Sequence, residues 1–240
     1  MTTPAFEALL SVQDLDTALD RHRRRRATLQ ERADIAALDT RLAPVRDRLA
    51  AATARRDEVA GREETLGRDL AATKARIAEV NKRLYGGTVS ATRDLQAMAK
   101  DVESLTARAS GLEQQVLAVM EEWEPLDAEV TAIEWDRDSL MGSRAAVEER
   151  LAAAEREIDA DIAATENQRV EAAAHVDPDL LVAYETLRTR LGGVGVARLT
   201  GGRCSGCHLT LPATELDRLR REPPDALILC DQCGRILVRP

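Results

Sequence analysis

Apolar residues spaced alternately by three and four run through most of this chain, and that spacing limits what it can fold into. From Ile35 to Leu84 fifteen such positions occur, and only Arg56, Glu63 and Thr73 among them are not apolar. From Leu95 to Ile158 the alternation continues, broken only by Arg137 and Arg144. Spacing of this kind, held over many turns, gives each helix a narrow apolar seam, the pattern of a coiled coil rather than of a globular core helix. Between the two runs lie Gly86 and Gly87, the only adjacent glycines before residue 192. The chain is expected to turn back there, with a tip at 84–92 centred near Thr88.

A chain that doubles over brings together residues whose position numbers have a constant total. Leu84 with Leu95, Val80 with Met98, Leu66 with Leu112 and Leu49 with Val130 all total 178 or 179. Extended further, the same total sets Leu19 against Ala160 and Leu9 against Val170. The fold class that follows is mainly α: a long, kinked, antiparallel two-helix coiled-coil hairpin over residues 1–174. Its arms, of roughly 80 residues, would each run ~120 Å at 1.5 Å per residue. Helix one is expected to start near Thr3 and Pro4. Pro44 and Pro125 lie inside the arms and should kink them, with Pro44 facing Trp135. Arg56 falls opposite Trp123, where its guanidinium could lie on the indole face. Nearer the base a seam starts at Val12, Leu15 and Leu19, but His22 and Arg26 come next and the phase slips by one residue beyond Leu29.

Aromatics make up 2% and charged residues 32% of the 240 residues, so the apolar area must lie along thin seams rather than in a wide core. A net charge of -8 argues against a surface devoted to gripping phosphate backbones. The run Arg21, His22, Arg23, Arg24, Arg25, Arg26 is a local exception. It could hold nucleic acid or an acidic partner; the plainer reading pairs it with Glu148, Glu149, Glu155 and Glu157 on the returning arm. No secretory signal and no membrane span are expected. The compartment expected is the cytoplasm, where four cysteines serve a metal more readily than disulfides.

Residues 175–240 read as a second part. Asp177-Pro178 suits a helix start, and Leu180, Leu181, Tyr184, Leu187 and Leu191 give a short amphipathic helix that Gly192, Gly193 and Gly195 end. The glycine cluster could cradle a phosphate, but as a cap and turn it needs no ligand. Beyond it stand the four cysteines, in two pairs: Cys204-Ser205-Gly206-Cys207 and Cys230-Asp231-Gln232-Cys233. Two C-x-x-C turns aim four thiolates at one ion and make a closed tetrahedral zinc site. Short β-type runs at 194–200, 208–211, 226–229 and 236–238, with a helical insert at 212–221, complete a small zinc ribbon of β structure with short helices. His208 reads as a strand residue or a hydrogen-bond donor behind the ligands. Covalent haem at Cys204-Cys207-His208 would require export and leave the second pair unexplained, and a thioredoxin-like redox pair lacks its βαβ setting. With every ligand supplied by protein, one structural zinc per chain is expected and no open position for catalysis. No catalytic or cofactor-binding residue is expected elsewhere, and the chain reads as a non-enzyme.

LYGGTVSATRDLQAM at the tip, VDPDLLVAYETLR, GRCSGCHLTLP and CDQCGRILV resemble the bacterial coiled-coil family that carries a C-terminal C4-type zinc ribbon. The resemblance implies a hooked hairpin bearing a ribbon and a binding role. It also places Cys204, Cys207, Cys230 and Cys233 on the family's metal positions. Relatives are associated with flagella and type III secretion; members bind an alternative sigma factor of the RpoN class, and one kind binds a flagellin transcript. The expected function is a zinc-binding adaptor that binds protein partners through coiled coil and ribbon, in transcription or secretion. The alternative is an RNA- or DNA-binding regulator that uses the ribbon and the Arg21 to Arg26 run, and a homo-oligomer stays open. Hairpin and ribbon are expected to have separate cores, so that Cys207→Ser would unfold the ribbon alone.

Overall fold

The structure, a computed structural model, describes residues 4–87 and 89–239; Thr3 and Thr88 lie outside the described residues. Five helices and three short strands follow in the order α1 Pro4–Ala27, α2 Gln30–Tyr85, α3 Thr92–Ala173, α4 Pro178–Arg190, β1 Val196–Thr200, β2 Arg203–Cys204, α5 Ala213–Arg221 and β3 Ile236–Val238. Packing divides them into two compact units: one joins the chain up to Ala33 with everything from Glu148 on, and the other is Asp34–Val147.

In the Asp34–Val147 unit α2 and α3 form a coiled-coil hairpin, and its buried apolar residues all fall on the predicted seams. They are Leu38, Leu42, Ala52, Val59 and Val80 from α2, and Ala109, Leu112, Val119, Val130, Ile133 and Val147 from α3. Ala52 packs with Val130 and Ile133. Ion pairs flank the seam from Asp39–Arg144 through Arg55–Glu129 and Arg62–Glu122 to Lys74–Glu113. Their position numbers total 183 to 187, above the 178 or 179 of the seam. Helical side chains lean toward the N-terminus, so in antiparallel arms the tips that meet belong to higher-numbered residues than the backbones at that level.

Three expectations for this hairpin need correcting. Arg56 gives its guanidinium to Asp57 at 2.9 Å and faces Asp127 at 3.6 Å, so carboxylates hold the group expected on Trp123. Trp135 is 72% exposed and faces away from the seam. The first arm, expected as one helix, is broken at Thr28 and Leu29, where the seam changes phase; α1 and α2 are separate. Both α2 and α3 stay helical through Pro44 and Pro125. Both prolines are exposed, where water can take over the carbonyl freed by each missing N–H.

In the other unit the buried face of α1 is Phe6, Leu9, Leu10, Val12 and Leu19, with Gln13 and Asp16 among them. Leu9 lies in a core against which Ala172 and Ala173 pack, while Val170, its expected partner, is 67% exposed. Asp177 caps α4 by accepting from the N–H groups of Asp179 and Leu180. The three strands make one sheet in the order β2-β1-β3, β1 antiparallel to β2 and parallel to β3. Gly201 and Gly202, with φ of 58° and 77°, form the two-residue turn between β1 and β2 that only residues tolerant of positive φ can make. The runs at 208–211 and 226–229 contribute isolated bridges, Arg203 with Thr210 and Leu229 with Ile236, rather than the strands expected.

Residues alternate across this thin sheet. Val196, Ile236 and Val238 face α1 and α4, in one core with Phe6, Leu9, Val12 and Tyr184. Ala197, Leu199 and Leu237 face the cysteines and α5, in a second core with Cys204, Leu219 and Cys230. The ribbon therefore shares a core with α1, against the expectation of separate cores.

Candidate metal centre

Each cysteine pair sits in a turn built by the same two hydrogen bonds. In the first, the Cys204 N–H donates to Leu209 O at 3.0 Å and the His208 N–H to Cys204 O at 2.9 Å. In the second, Cys230 N–H donates to Arg235 O and Gly234 N–H to Cys230 O, both at 2.8 Å. Folding each C-x-x-C around its own first carbonyl turns both sulfurs to one side. His208 and Gly234 hold equivalent places, with φ of 60° and 69°. His208 is thus the left-handed residue that closes its turn, not a strand residue.

The four Sγ atoms lie within 4.8 Å of one another, and Cys204 Sγ is 3.9 Å from Cys233 Sγ. Zinc–sulfur bonds of about 2.3 Å in a tetrahedron put sulfurs about 3.8 Å apart, so the cluster is sized for one such ion. Cys204 and Cys230 are buried; Cys207 and Cys233 are half-buried. Burial pushes the Cys230 thiol up to about 12 and raises that of Cys204. Burial acts on Cys233 too, but hydrogen bonds from Arg235 and the neighbouring thiols outweigh it and bring that group to about 7. A divalent cation among the four supplies the positive charge that makes the thiolate form stable there.

Residues 12–192 match the CT398-like coiled coil hairpin domain. This chain belongs to that family. Residues 203–237, with all four cysteines, match the C4-type zinc ribbon domain, so the CT398-like hairpin carries one structural zinc in its ribbon. An uncharacterized protein of Mycobacterium tuberculosis, found in strains CDC 1551 / Oshkosh and H37Rv, is 30% identical over 232 residues, which cover 97% of this chain and 94% of the relative. A solved structure from Mycobacterium smegmatis has a TM-score of 0.80 at 24% identity and covers 100% of this chain and 99% of its own. CT398 from Chlamydia trachomatis has a TM-score of 0.62 at 19% identity, covering 98% of both chains. The HP0958 protein from Helicobacter pylori has 0.51 at 14%, covering 98% and 97%. These likenesses show the fold.

In the Arg21 to Arg26 run, His22, Arg23 and Arg26 meet carboxylates, while Arg21, Arg24 and Arg25 are exposed. Arg23 pairs with Glu166 at 3.0 Å, Arg26 with Asp159 at 2.7 Å, and His22 Nδ1 lies 4.0 Å from Asp161. Of the carboxylates expected opposite the run, Glu155 takes part, facing Arg26 at 3.8 Å. Arg23 and Arg24 meet Gly192 and Gly193 in one open cleft. It is no phosphate cradle. Both α1 and α4 end there, adding the partial negative charge of helix C-termini. Asp20 holds Arg188 at 2.6 Å, and the Gly193 N–H is spent on Arg188 O.

A polar cluster that the sequence reading missed joins α1, α3, α4 and β1. Asp16, almost fully buried, accepts from Arg169 Nε at 2.7 Å and from the Tyr184 hydroxyl at 2.8 Å, with Arg188 Nε at 3.6 Å. Burial and this hydrogen bond drive the Tyr184 hydroxyl far above its ordinary value, so it remains a donor. Gln13 donates to Gly193 O at 3.0 Å and accepts from the Gly195 N–H at 2.7 Å. The signal was present: positions 9, 12, 16 and 19 make a stripe on one helix face, which puts Asp16 inward where Leu15 was expected.

Proposed function

We propose that this chain is a non-enzymatic adaptor that binds protein partners through its coiled coil and zinc ribbon, in transcriptional or secretory regulation in the cytoplasm. The observation that carries this reading is the closed four-thiolate centre. With four protein ligands at the ion, no position is left for an activated water, so the metal holds a shape rather than performing a reaction. Two further features support it. Among the described residues no helix is long and apolar enough to cross a membrane. The ribbon also offers Leu209, Leu227 and Leu229, each at least two-fifths exposed, which suit contact with another polypeptide.

The test is capture of partners from the native cell by full-length protein, comparing wild type with Cys207→Ser, followed by identification by mass spectrometry. Recovery of a defined protein by wild type alone is the expected result, and a sigma factor or a secretion component would name the pathway. Binding of RNA or DNA at low salt, lost steeply as salt rises, would move the function to nucleic acid. Turnover of any substrate that ends with the ribbon's removal would overturn the non-enzymatic reading.

A further inference from the structure

Charge on the Asp34–Val147 hairpin is uneven along its length. At the level where Arg55 meets Glu129 and Arg62 meets Glu122, residues 55–69 and 113–129 carry eleven carboxylates against four arginines. The rest of Asp34–Val147 carries ten carboxylates against twelve lysines and arginines, so the net charge is -7 at this level and +2 elsewhere. Glu58, Glu121 and Glu124 meet no cation among the described residues, which leaves part of that acidity unanswered.

An apolar groove opens between the arms at the same level. Its cavity of about 650 Å³ is lined from within 58–66 of α2 and 115–122 of α3, about two helical turns of each. Leu66 and Val119 reach it from the seam, and Gly61 and Ala118 beside them are too small to cover them. A Cβ at Gly61 would meet nothing within 4 Å. Glu58 and Glu122 lie at one end, where the antiparallel arms bring them to the same height.

We infer, on the protein-binding reading above, that this groove seats an amphipathic helix of a partner protein, rich in lysine or arginine. Its apolar face would rest on Leu66 and Val119 and its cations would face the surrounding carboxylates. Along both arms the backbone groups are spent within each helix, so an extended segment finds no edge to pair with, whereas a helix arrives with its own bonds made. The net charge of -7 draws in a cationic segment and repels nucleic acid and anionic lipid. A second copy has no free helix of this kind to offer. The chain's own arginine run lies on α1, and the apolar face of α1 is already buried in the core beneath β1 and β3.

The probe is a fluorescein-labelled synthetic peptide with leucine on one helical face and lysine on the other, titrated into the full chain and followed by anisotropy. It should bind at low salt. A scrambled peptide of the same composition should bind about tenfold or more weakly, because it has charge but no apolar face. G61L/A118L fills the groove without altering a charge and should weaken binding by a similar factor. G142L, at another open helical glycine that does not line the groove, should not weaken it. E58K/E121K should weaken binding at low salt and matter less as salt rises. All five positions are exposed, so circular dichroism of these variants should match wild type. No binding by wild type, equal binding of the scrambled peptide, or indifference to G61L/A118L would overturn the inference. If the full chain still captures a native protein in those cases, the adaptor reading survives without this groove. Self-association of the chain that G61L/A118L abolishes would also overturn it, by making a second copy the occupant.

Discussion

At the scale of single residues, the two cysteine turns offer a controlled comparison. Equivalent hydrogen bonds are closed by glycine in one and histidine in the other, at nearly the same left-handed φ. A side chain there costs about 1 kcal/mol. Gly234→Ala should therefore weaken zinc retention about fivefold in a chelator competition, whereas His208→Gly should not weaken it. Asp16 allows a harsher test. Asp16→Ala leaves Arg169 and the Tyr184 hydroxyl without their buried acceptor and Arg188 without a buried counter-charge, and should cost about 3 kcal/mol in denaturant unfolding, where Tyr184→Phe costs about 1. The cysteines were legible in the sequence because ligand spacing is local. Neither Asp16 nor the conformation of His208 was, since the first depends on which helices meet and the second on a turn that histidine tolerates but does not announce.

At the scale of elements, periodicity carried most of the information. Every buried apolar position of the Asp34–Val147 hairpin fell on the 3-4 spacing, because a two-helix seam leaves no other face to bury. The same reasoning failed for α1, which packs against more than one neighbour and so buries a wider and partly polar face. The short strands were hard to place for another reason: two or three residues hold no period, and bridges at Thr210 and Leu229 look in sequence like strands. The hairpin turn itself invites a test. A Cβ at Gly86 would come within 2.5 Å of Lys82 O, and Gly87 has a φ of 71°. Deleting both glycines should shift one seam against the other, seen as a lower melting temperature with unchanged zinc content.

At the scale of the whole molecule, the sheet that faces the metal on one side faces α1 and α4 on the other. Removing zinc with a chelator, or substituting Cys207 by serine, should therefore loosen more than the ribbon. Hydrogen exchange should rise in 196–238 and also in α1, around Phe6 to Val12, while the Asp34–Val147 hairpin keeps its protection. Protection of α1 after complete metal loss would show that its packing does not depend on the ribbon's order.

The amide of Gln13 reaches both a carbonyl and an N–H of the turn that leads into β1, joining points about 180 positions apart in the chain. A cysteine module transplanted from a relative will seat only where the recipient presents a side chain with both a donor and an acceptor at that spot on its first helix. Swaps between distant members of the family should therefore succeed or fail on a residue far from either cut.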